Sequence, residues 1–150
     1  MTDVETEVGK RKDGFLSICK TRGVPCAVSE TIGTDNFSSV SDFLSAHIHG
    51  GKLDYDGLFC VSDSLAYLVR SYLSEHGIAV PDDVQIIGYD GIRKFGFLDF
   101  FCSTIVQPVE EISRTCVDLI LNAGPDRKSV PSLICLPIRY ADGGTTKEPV

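Results

Sequence analysis

Two continuous apolar runs, separated by a segment of helical pattern, constrain the fold of this chain more than any other feature. The runs are residues 57–61 and 84–89, and neither alternates regularly between polar and apolar side chains. Such runs are typical of strands covered on both faces, as in parallel sheets. Between them, apolar residues recur at helical spacing: Leu65, Leu68, Val69, Tyr72 and Leu73. Strand, helix and strand within about 30 residues predict a βαβ unit and an α/β fold with a parallel sheet.

The rest of the chain continues this pattern. Three segments have apolar residues at helical spacing and are predicted helices: residues 6–22, 36–49 and 109–122. Three short extended or apolar runs are predicted strands: residues 25–28, 103–106 and 133–138. The Gly50-Gly51 pair is expected to end the second helix, and the Gly143-Gly144 tail is expected to be frayed.

Charge and hydropathy argue against two classes of partner. The formal net charge is −7 over 150 residues, and only Lys10-Arg11-Lys12 clusters basic side chains. A surface that binds nucleic acid needs more clustered positive charge, so none is expected here. No apolar run approaches the roughly 20 residues that span a bilayer, so no membrane partner is expected either.

Cysteine usage indicates a reducing compartment. Six cysteines are spread along the chain without any Cys-x-x-Cys pair: Cys19, Cys26, Cys60, Cys102, Cys116 and Cys135. Most lie inside apolar runs, where a free cysteine behaves as a small buried hydrophobe. We therefore expect reduced thiols and a cytoplasmic protein.

Two carboxylates follow the predicted strands, where open parallel sheets bind their ligands. Asp63 comes directly after the first strand and Asp90 directly after the second. A carboxylate at a strand end can accept hydrogen bonds from neighbouring sugar hydroxyls, or it can cap the next helix. We expect Asp63 to be a cap, whereas spacing alone leaves both roles open for Asp90.

Three further side chains are candidates for ligand contact, and each also has an ordinary structural role. Arg11, near the start of the first helix, can bind hydroxyls or a carboxylate with its planar fork, or it can be a solvated surface residue. Phe37 begins the second helix and can pack on the apolar face of a sugar or in the core. Gln107 can donate to and accept from a polar ligand, or simply face water.

Catalytic, metal and cofactor sites are not expected. The predicted helices carry His47, His49 and His76 without carboxylate or cysteine partners at ligand spacing, and the first two point to different helix faces. The sequence has no nucleophile elbow, phosphate loop or Gly-x-Gly-x-x-Gly turn.

Three motifs carry a family resemblance. They are Asp-Gly-Leu-Phe-Cys-Val-Ser-Asp at residues 56–63, Val-Pro-Asp-Asp-Val-Gln-Ile-Ile-Gly-Tyr-Asp at 80–90, and Ser-Thr-Ile-Val-Gln-Pro at 103–108. Their order and separations resemble the carboxy-terminal effector-binding region of the LacI/GalR family of bacterial repressors. The resemblance covers residues 8–146.

The resemblance implies a periplasmic-binding-protein-like (type I) fold, in which two α/β lobes clasp a small ligand. This chain would be a truncated sensor: residues 6–106 form mainly the second lobe, 107–135 the crossover helix and strand of the first lobe, and 136–146 the closing strand. The family's DNA-binding head, hinge helix and most of the first lobe would be absent. Apolar faces of the helix and strand in residues 107–135 would then lack partners, so the chain is expected to self-associate.

The resemblance also assigns roles to five effector-binding residues. Arg11 matches the arginine that grips ligand hydroxyls or carboxylates, and Asp90 matches the acidic residue that binds sugar hydroxyls. Phe37 matches a cleft-lining aromatic, Ser62 stands where the family commonly has asparagine, and Gln107 matches a crossover residue at the cleft edge. The Asp90 carboxylate and the Arg11 guanidinium are therefore expected to meet in one concavity.

The function implied by the resemblance is effector sensing and homodimerisation in a transcription regulator, with operator DNA bound only through the missing head. Tyr89-Asp90-Gly91 is similar to the same segment of sucrose-operon repressors, which indicates sucrose or a related fructosyl sugar. Dimer contacts are expected from the helix after Asp63 and from residues 95–101. The alternatives are the periplasmic sugar-binding component of a transporter, which shares the fold, and a small α/β enzyme.

Overall fold

The computed structural model describes residues 6–29, 36–92, 101–121 and 133–148. The helices in these ranges are α1 (Glu7–Arg22), α2 (Asn36–Ala46), α3 (Asp63–Glu75) and α4 (Val109–Leu121). The strands are β1 (Ile48–His49), β2 (Lys52–Leu53), β3 (Gly57–Phe59), β4 (Gln85–Asp90), β5 (Ser103–Val106) and β6 (Arg139–Ala141). The main sheet has the order β3-β4-β5-β6; its first three strands are parallel and β6 is antiparallel. The predicted α/β class with a parallel sheet is confirmed, with one antiparallel edge strand.

Helices cover both faces of β4. Ile86 is fully buried in the core that α2 and α3 form on one face, and the Cα of Gly88 approaches α3. Tyr89 points to the other face, where the guanidinium of Arg11 on α1 lies over its ring. Because successive strand residues alternate between faces, α1 and α3 lie on opposite sides of the sheet. Because helices pack on both faces of β4, its sequence is a nearly continuous apolar run.

Local signals set the ends of two helices. The Oγ1 of Thr6 caps α1 by accepting a hydrogen bond from the Gly9 N–H at 3.1 Å. Gly23 ends α1 in the left-handed region, with φ of 66°. Ser62 caps α3, because its Oγ accepts from the Leu65 N–H at 3.3 Å.

The prediction of one helix over residues 36–49 is wrong at its carboxyl end. α2 stops earlier, and Ile48 pairs with Leu53 in a short antiparallel hairpin. Gly50 and Gly51 form its turn, with φ of 58° and 76°, a conformation that glycine adopts without a steric penalty. The glycine pair is therefore a hairpin turn and not a helix terminator.

Two predicted strands are not strands in the structure. Residues 24–29 and 133–138 have no regular secondary structure, and their apolar side chains are open to solvent: Val24 is 54% exposed and Leu133 is 77% exposed. A strand requires a hydrogen-bonded neighbour, and neither segment pairs with one in the described part of the chain. Of the predicted closing strand at residues 136–146, only Arg139–Ala141 form a strand, which is β6 beside β5.

The carboxy-terminal segment is built into the sheet, so the expectation of a frayed end at Gly143 is wrong. Thr145 is fully buried; its carbonyl accepts from the Ile86 N–H at 2.8 Å and its hydroxyl donates to the Ile86 carbonyl at 2.7 Å. The Ser103 N–H donates to the same hydroxyl at 2.8 Å. A Cβ on Gly143 would lie 2.2 Å from the carbonyl carbon of Cys102, so only glycine permits this close approach.

α4 is confirmed as a helix, and it has no buried residue. Its exposed apolar side chains are Val109, Ile112, Val117, Ile120 and Leu121. The apolar face that the sequence predicts for this helix is therefore open to solvent in the described part of the structure. None of the helices in the described ranges combines the length and the apolar character needed to cross a bilayer.

The six cysteines are all free and divide into two groups. Cys19, Cys60 and Cys102 are buried, whereas Cys26, Cys116 and Cys135 are exposed. Burial raises the pKa of the Cys60 thiol to about 12 and that of Cys102 to about 11. The prediction of buried, unpaired thiols therefore holds for half of them.

We expect alkylation to separate these two groups. In native protein at pH 8, iodoacetamide should modify Cys116 and Cys135 within minutes, because they are exposed. Cys60 and Cys102 should stay unmodified until a denaturant is added, since they are buried and their raised pKa keeps them protonated. Peptide mass mapping of the two reactions measures this. Rapid native modification of Cys60 would contradict the buried core described here.

Candidate functional site

The carboxyl ends of three parallel strands meet at one edge of the sheet. Val61 follows β3, Asp90 is the last residue of β4, and Gln107 follows β5. Ligands of open α/β sheets bind at this edge because loops diverge there and leave a crevice. The candidate site is built from these three strand ends and from one side chain that α1 contributes.

Arg11 links α1 to this edge through three contacts. Its Nη1 donates to the Val61 carbonyl at 2.8 Å and to Asp90 Oδ1 at 3.1 Å. Its guanidinium carbon lies 4.0 Å from the centroid of the Tyr89 ring, a cation–π distance. The Arg11 and Asp90 side chains retain 19% and 27% of their exposure, so the ion pair is partly shielded but still reachable. The two groups meet, as the resemblance implies.

Gln107 completes the polar cluster. Its Nε2 donates to Asp90 Oδ1 at 2.7 Å, so this oxygen accepts from both Gln107 and Arg11. Within the described residues, the hydrogen bonds of this cluster use Oδ1 of the Asp90 carboxylate and Nη1 of the Arg11 guanidinium. Asp90 Oδ2 and Arg11 Nη2 take part in none of these three bonds.

The backbone at Asp90 is strained. Its φ is 125°, outside the regions that residues with a side chain normally adopt, and Gly91 follows at 88°. Such conformations cost of order 1–3 kcal/mol and persist where surrounding bonds hold them. The strain turns the chain sharply at the strand end and places the carboxylate beside Arg11 and Gln107.

Asp63 supplies the bonds that hold this turn, and the prediction that it caps a helix is wrong. Ser62 is the cap; the Asp63 carboxylate is fully buried and points to the end of β4. Its Oδ2 accepts from the N–H groups of Gly91 at 2.7 Å and Ile92 at 2.5 Å, and its Oδ1 accepts from the Thr104 hydroxyl at 2.6 Å. One carboxylate thus joins α3 to the turn after β4 and to β5.

Gly88 makes room for that carboxylate. An added Cβ would lie 2.2 Å from Asp63 Oδ1 and 3.2 Å from the Cβ of Ala66. Sequence reasoning missed this role for Asp63, although a glycine inside an apolar strand is a known signal of close approach by another group.

The other two predicted site residues, Ser62 and Phe37, make no described contact with this cluster. Ser62 adjoins Val61 and uses its Oγ to cap α3, which leaves its hydroxyl proton free to donate elsewhere. The side chain of Phe37 lies outside the described residues, although its backbone lies in the first turn of α2. The structure therefore brings together Arg11, Asp90 and Gln107, with Ser62 next to the carbonyl that Arg11 binds.

The histidine prediction needs a correction. His49 lies in β1 and not on a helix, and the Nδ1 atoms of His47 and His49 lie 3.4 and 3.2 Å from the two oxygens of Asp54. They share a carboxylate because α2 ends before them and the hairpin folds the chain back. In the described residues, no group of three or more histidine, cysteine or acidic side chains could hold a metal ion.

The chemistry of this cluster suits a neutral, hydroxyl-rich ligand. A paired arginine and aspartate present no net charge but offer strong donors and acceptors side by side. Vicinal hydroxyls of a sugar can donate to the carboxylate and accept from the guanidinium at the same time.

Comparison with known proteins places the chain in a family. Residues 2–146 match the family model described as a periplasmic binding protein-like domain. The sucrose operon repressor of Shigella flexneri is 29% identical over 108 residues, which cover 69% of this chain and 33% of the relative. The HTH-type transcriptional repressor PurR of Yersinia pestis is 28% identical over 127 residues, which cover 84% and 37%. The chain thus spans about a third of the length of these curated relatives.

Solved structures agree with this placement. A LacI family transcriptional regulator from Arthrobacter sp. FB24, in complex with lactose, superposes with a TM-score of 0.70 and 26% identity, over 91% of this chain and 50% of that one. These relatives are transcriptional regulators and not enzymes. The chain belongs to the periplasmic binding protein-like domain family and is part of an effector-binding region of the LacI/GalR type.

Proposed function

We propose that this chain is the sugar-sensing region of a bacterial transcription regulator. The observation that carries the proposal is the cluster of Arg11, Asp90 and Gln107 at the carboxyl ends of the parallel strands. It joins a charge-neutral ion pair to an amide at the position where this fold binds small ligands. In this proposal the region binds an effector and does not catalyse a reaction. The protein that contains it is cytoplasmic.

The ligand is a neutral sugar held through neighbouring hydroxyls. One hydroxyl donates to Asp90 Oδ2 while the next accepts from Arg11 Nη2, and Ser62 and Phe37 extend the contact surface. The strained turn at Asp90 holds the carboxylate in place before the ligand arrives, which lowers the ordering cost of binding. Sucrose or another fructosyl sugar is the favoured effector, because sucrose operon repressors are among the relatives.

Regulation requires both lobes and two copies. A sugar that binds the closed arrangement of the lobes more tightly than the open one shifts the population toward it. In the proposed homodimer this shift repositions DNA-binding heads, through which alone operator DNA is bound. Of the proposed dimer contact at residues 95–101, residues 95–100 lie outside the described ranges.

The transporter component is the second candidate, because it shares the fold and a polyol-binding site. The encoding gene separates the two. A helix-turn-helix sequence upstream of this region supports the regulator, whereas a secretory signal sequence would overturn it. The three buried free thiols are the structural feature that favours the regulator.

Effector binding is tested on a protein that carries both lobes, by calorimetric titration with sucrose, fructose and lactose. Asp90→Asn should weaken the binding of the active sugar about 10- to 100-fold, because a hydrogen bond to a charged group is lost. Arg11→Lys should weaken it similarly, since lysine lacks the planar fork.

The matched controls are Asp13→Asn and Arg22→Lys, which lie on the exposed surface of α1, in its middle and at its carboxyl end. They should bind sugar like the unaltered protein. Binding that is equally strong in the Asp90 and Arg11 variants would overturn the assignment of this cluster, and binding of no sugar would overturn the proposed function.

A further inference from the structure

Two of the free cysteines, Cys19 and Cys26, meet where α1 ends. Cys19 lies in the last turn of the helix and is buried, whereas Cys26 lies in the segment that follows and is exposed. Neither belongs to the cluster of Arg11, Asp90 and Gln107. The pair is therefore open to a chemistry of its own, separate from ligand binding.

The turn after α1 brings the chain back to Cys19. The Val24 N–H donates to the Cys19 carbonyl at 2.9 Å. The Gly23 N–H donates to the Lys20 carbonyl at 3.2 Å, and Gly23 itself has φ of 66°. These two bonds and the left-handed glycine form a Schellman motif. Cys26 follows two residues after this motif, so it stays close to the end of the helix.

Cys19 lies on the face of α1 that packs against the sheet. Arg11, Phe15 and Cys19 follow one another at intervals of four residues, so they share one face of the helix. The Arg11 side chain reaches the end of β4. The Phe15 ring stacks on that of Phe59 in β3, with 4.8 Å between the ring centroids. The Cys19 thiol therefore points inward, where solvent reaches it poorly.

The two thiols are neighbours. Burial is the first cause that raises the pKa of the Cys26 thiol, and the Cys19 thiol raises it further through its charge and through a hydrogen bond. A thiol is a weak donor and a weak acceptor, so a hydrogen bond between two thiols requires their sulfur atoms to be adjacent. The contact thus joins a buried sulfur to an exposed one.

Such a pair has the arrangement of an attacking thiol and a resolving thiol. A small oxidant reaches Cys26 because that residue is exposed, whereas Cys19 is buried. A modified Cys26 then has a second thiol beside it, and a neighbouring thiol displaces the modifying group. The raised pKa of Cys26 makes the first step slow at neutral pH, since the thiolate is the form that reacts.

We propose that Cys19 and Cys26 are a redox site, which a low-molecular-weight disulfide converts into a reversible intramolecular disulfide bond. The Cys26 thiolate attacks one sulfur of the small disulfide, whose S–S bond breaks and releases one small thiol. The Cys19 sulfur then attacks the Cys26 sulfur of the mixed disulfide and releases the second small thiol. The two cysteines lose two electrons and two protons in total, and the small disulfide gains them. The proposal is independent of the proposed sugar-sensing function.

The bond would close residues 19–26 into a covalent loop around the turn at Gly23. It would fasten the segment at 24–29 to the helix that carries Arg11, and a reducing agent would release it. In a reducing compartment the pool of small thiols keeps the pair open, and an excess of small disulfides closes it. The site therefore responds to the redox state of its surroundings.

Oxidised glutathione tests this site on the folded chain. The other two exposed thiols are removed beforehand by Cys116→Ser and Cys135→Ser. In that background, the protein with both cysteines is compared with a Cys19→Ala variant and a Cys26→Ser variant, whose folding is checked by circular dichroism. Each reaction is stopped with N-ethylmaleimide, digested without reduction and mapped by mass spectrometry. Trypsin cleaves after Lys20 and Arg22, so an internal bond links two otherwise separate peptides.

The expected result differs among the three proteins. The protein with both cysteines should give the linked peptides and no lasting glutathione adduct, and dithiothreitol should separate them. Cys19→Ala should accumulate glutathione on Cys26, because no thiol remains to displace it. Cys26→Ser should stay unmodified at Cys19, because that residue is buried. The rate of bond formation should rise about tenfold from pH 7 to pH 8, as the thiolate fraction does.

Three results would overturn the redox site. The first is a lasting glutathione adduct on Cys26 in the protein that retains Cys19, because Cys19 would then not resolve it. The second is an absence of any modification of Cys26 in the Cys19→Ala protein. The third is a covalent dimer on a non-reducing gel that accounts for all the linked peptides, since the bond would then join two copies.

Discussion

Replacement of Gly88 by alanine is expected to lower the free energy of unfolding by about 3 kcal/mol or more, or to prevent folding altogether. The new Cβ would lie 2.2 Å from Asp63 Oδ1, a separation that real atoms do not tolerate. Asp63 cannot move away without breaking its bonds to Gly91, Ile92 and Thr104. The cost therefore combines a clash in the core with the loss of a buried hydrogen-bond network.

Urea denaturation followed by circular dichroism measures this effect. Gly57→Ala is the matched control, because Gly57 lies in the neighbouring parallel strand and a Cβ there meets no atom within 4 Å. It should change the free energy of unfolding by less than about 1 kcal/mol. A Gly88→Ala protein as stable as the Gly57→Ala protein would refute the close approach of α3 to β4.

Asp63→Asn is expected to destabilise the protein by about 3 kcal/mol, although it changes almost no volume. The carboxylate accepts three hydrogen bonds at full burial, and an amide offers one oxygen where two are needed. Its NH₂ group would face a donor. Thr104→Val should cost less, about 1–2 kcal/mol, because only one of the three bonds is removed.

Two measurements distinguish this role from a general effect of losing a charge. Asp13→Asn, on the exposed side of α1, should leave stability nearly unchanged. Amide exchange at Gly91 and Ile92 should accelerate in the Asp63→Asn protein more than exchange at Ile86 in the middle of the strand. Unchanged protection at Gly91 would contradict the role of Asp63 in holding the turn.

Long apolar runs and helical periodicity predicted the central part of the fold well. The βαβ unit, the strand at Ser103–Val106 and the helix at Val109–Leu121 all lie where the sequence places them. These elements find their packing or pairing partners close by in the described chain, so local pattern and tertiary contacts agree. α4 is the exception in packing, since its apolar face is exposed.

The two wrong strand predictions share a physical cause, and the missed hairpin has another. Residues 25–28 and 133–138 carry strand-forming side chains, but a strand exists only beside a partner, which a local pattern does not specify. The hairpin at Ile48 was missed because a glycine pair ends a helix and turns a hairpin equally well.

The positions of the strand ends predicted where the candidate site lies. The hydrogen bonds of Asp63 that hold the turn at this site were not predicted. The meeting of Arg11 with Asp90 joins residues 79 positions apart, and only the family resemblance implied it. Asp63 was assigned to a helix cap because a carboxylate at a strand–helix junction commonly has that role. The neighbouring Ser62 took the cap, which left Asp63 to the turn.

The position of Thr145 has a consequence for the order of events during synthesis. This buried residue bonds both backbone groups of the buried Ile86, although 59 positions separate the two along the chain. A ribosome must therefore translate almost the whole region before the backbone groups of Ile86 find their partner. The centre of the nascent domain stays incomplete until the segment around Thr145, 59 positions after Ile86, has been made.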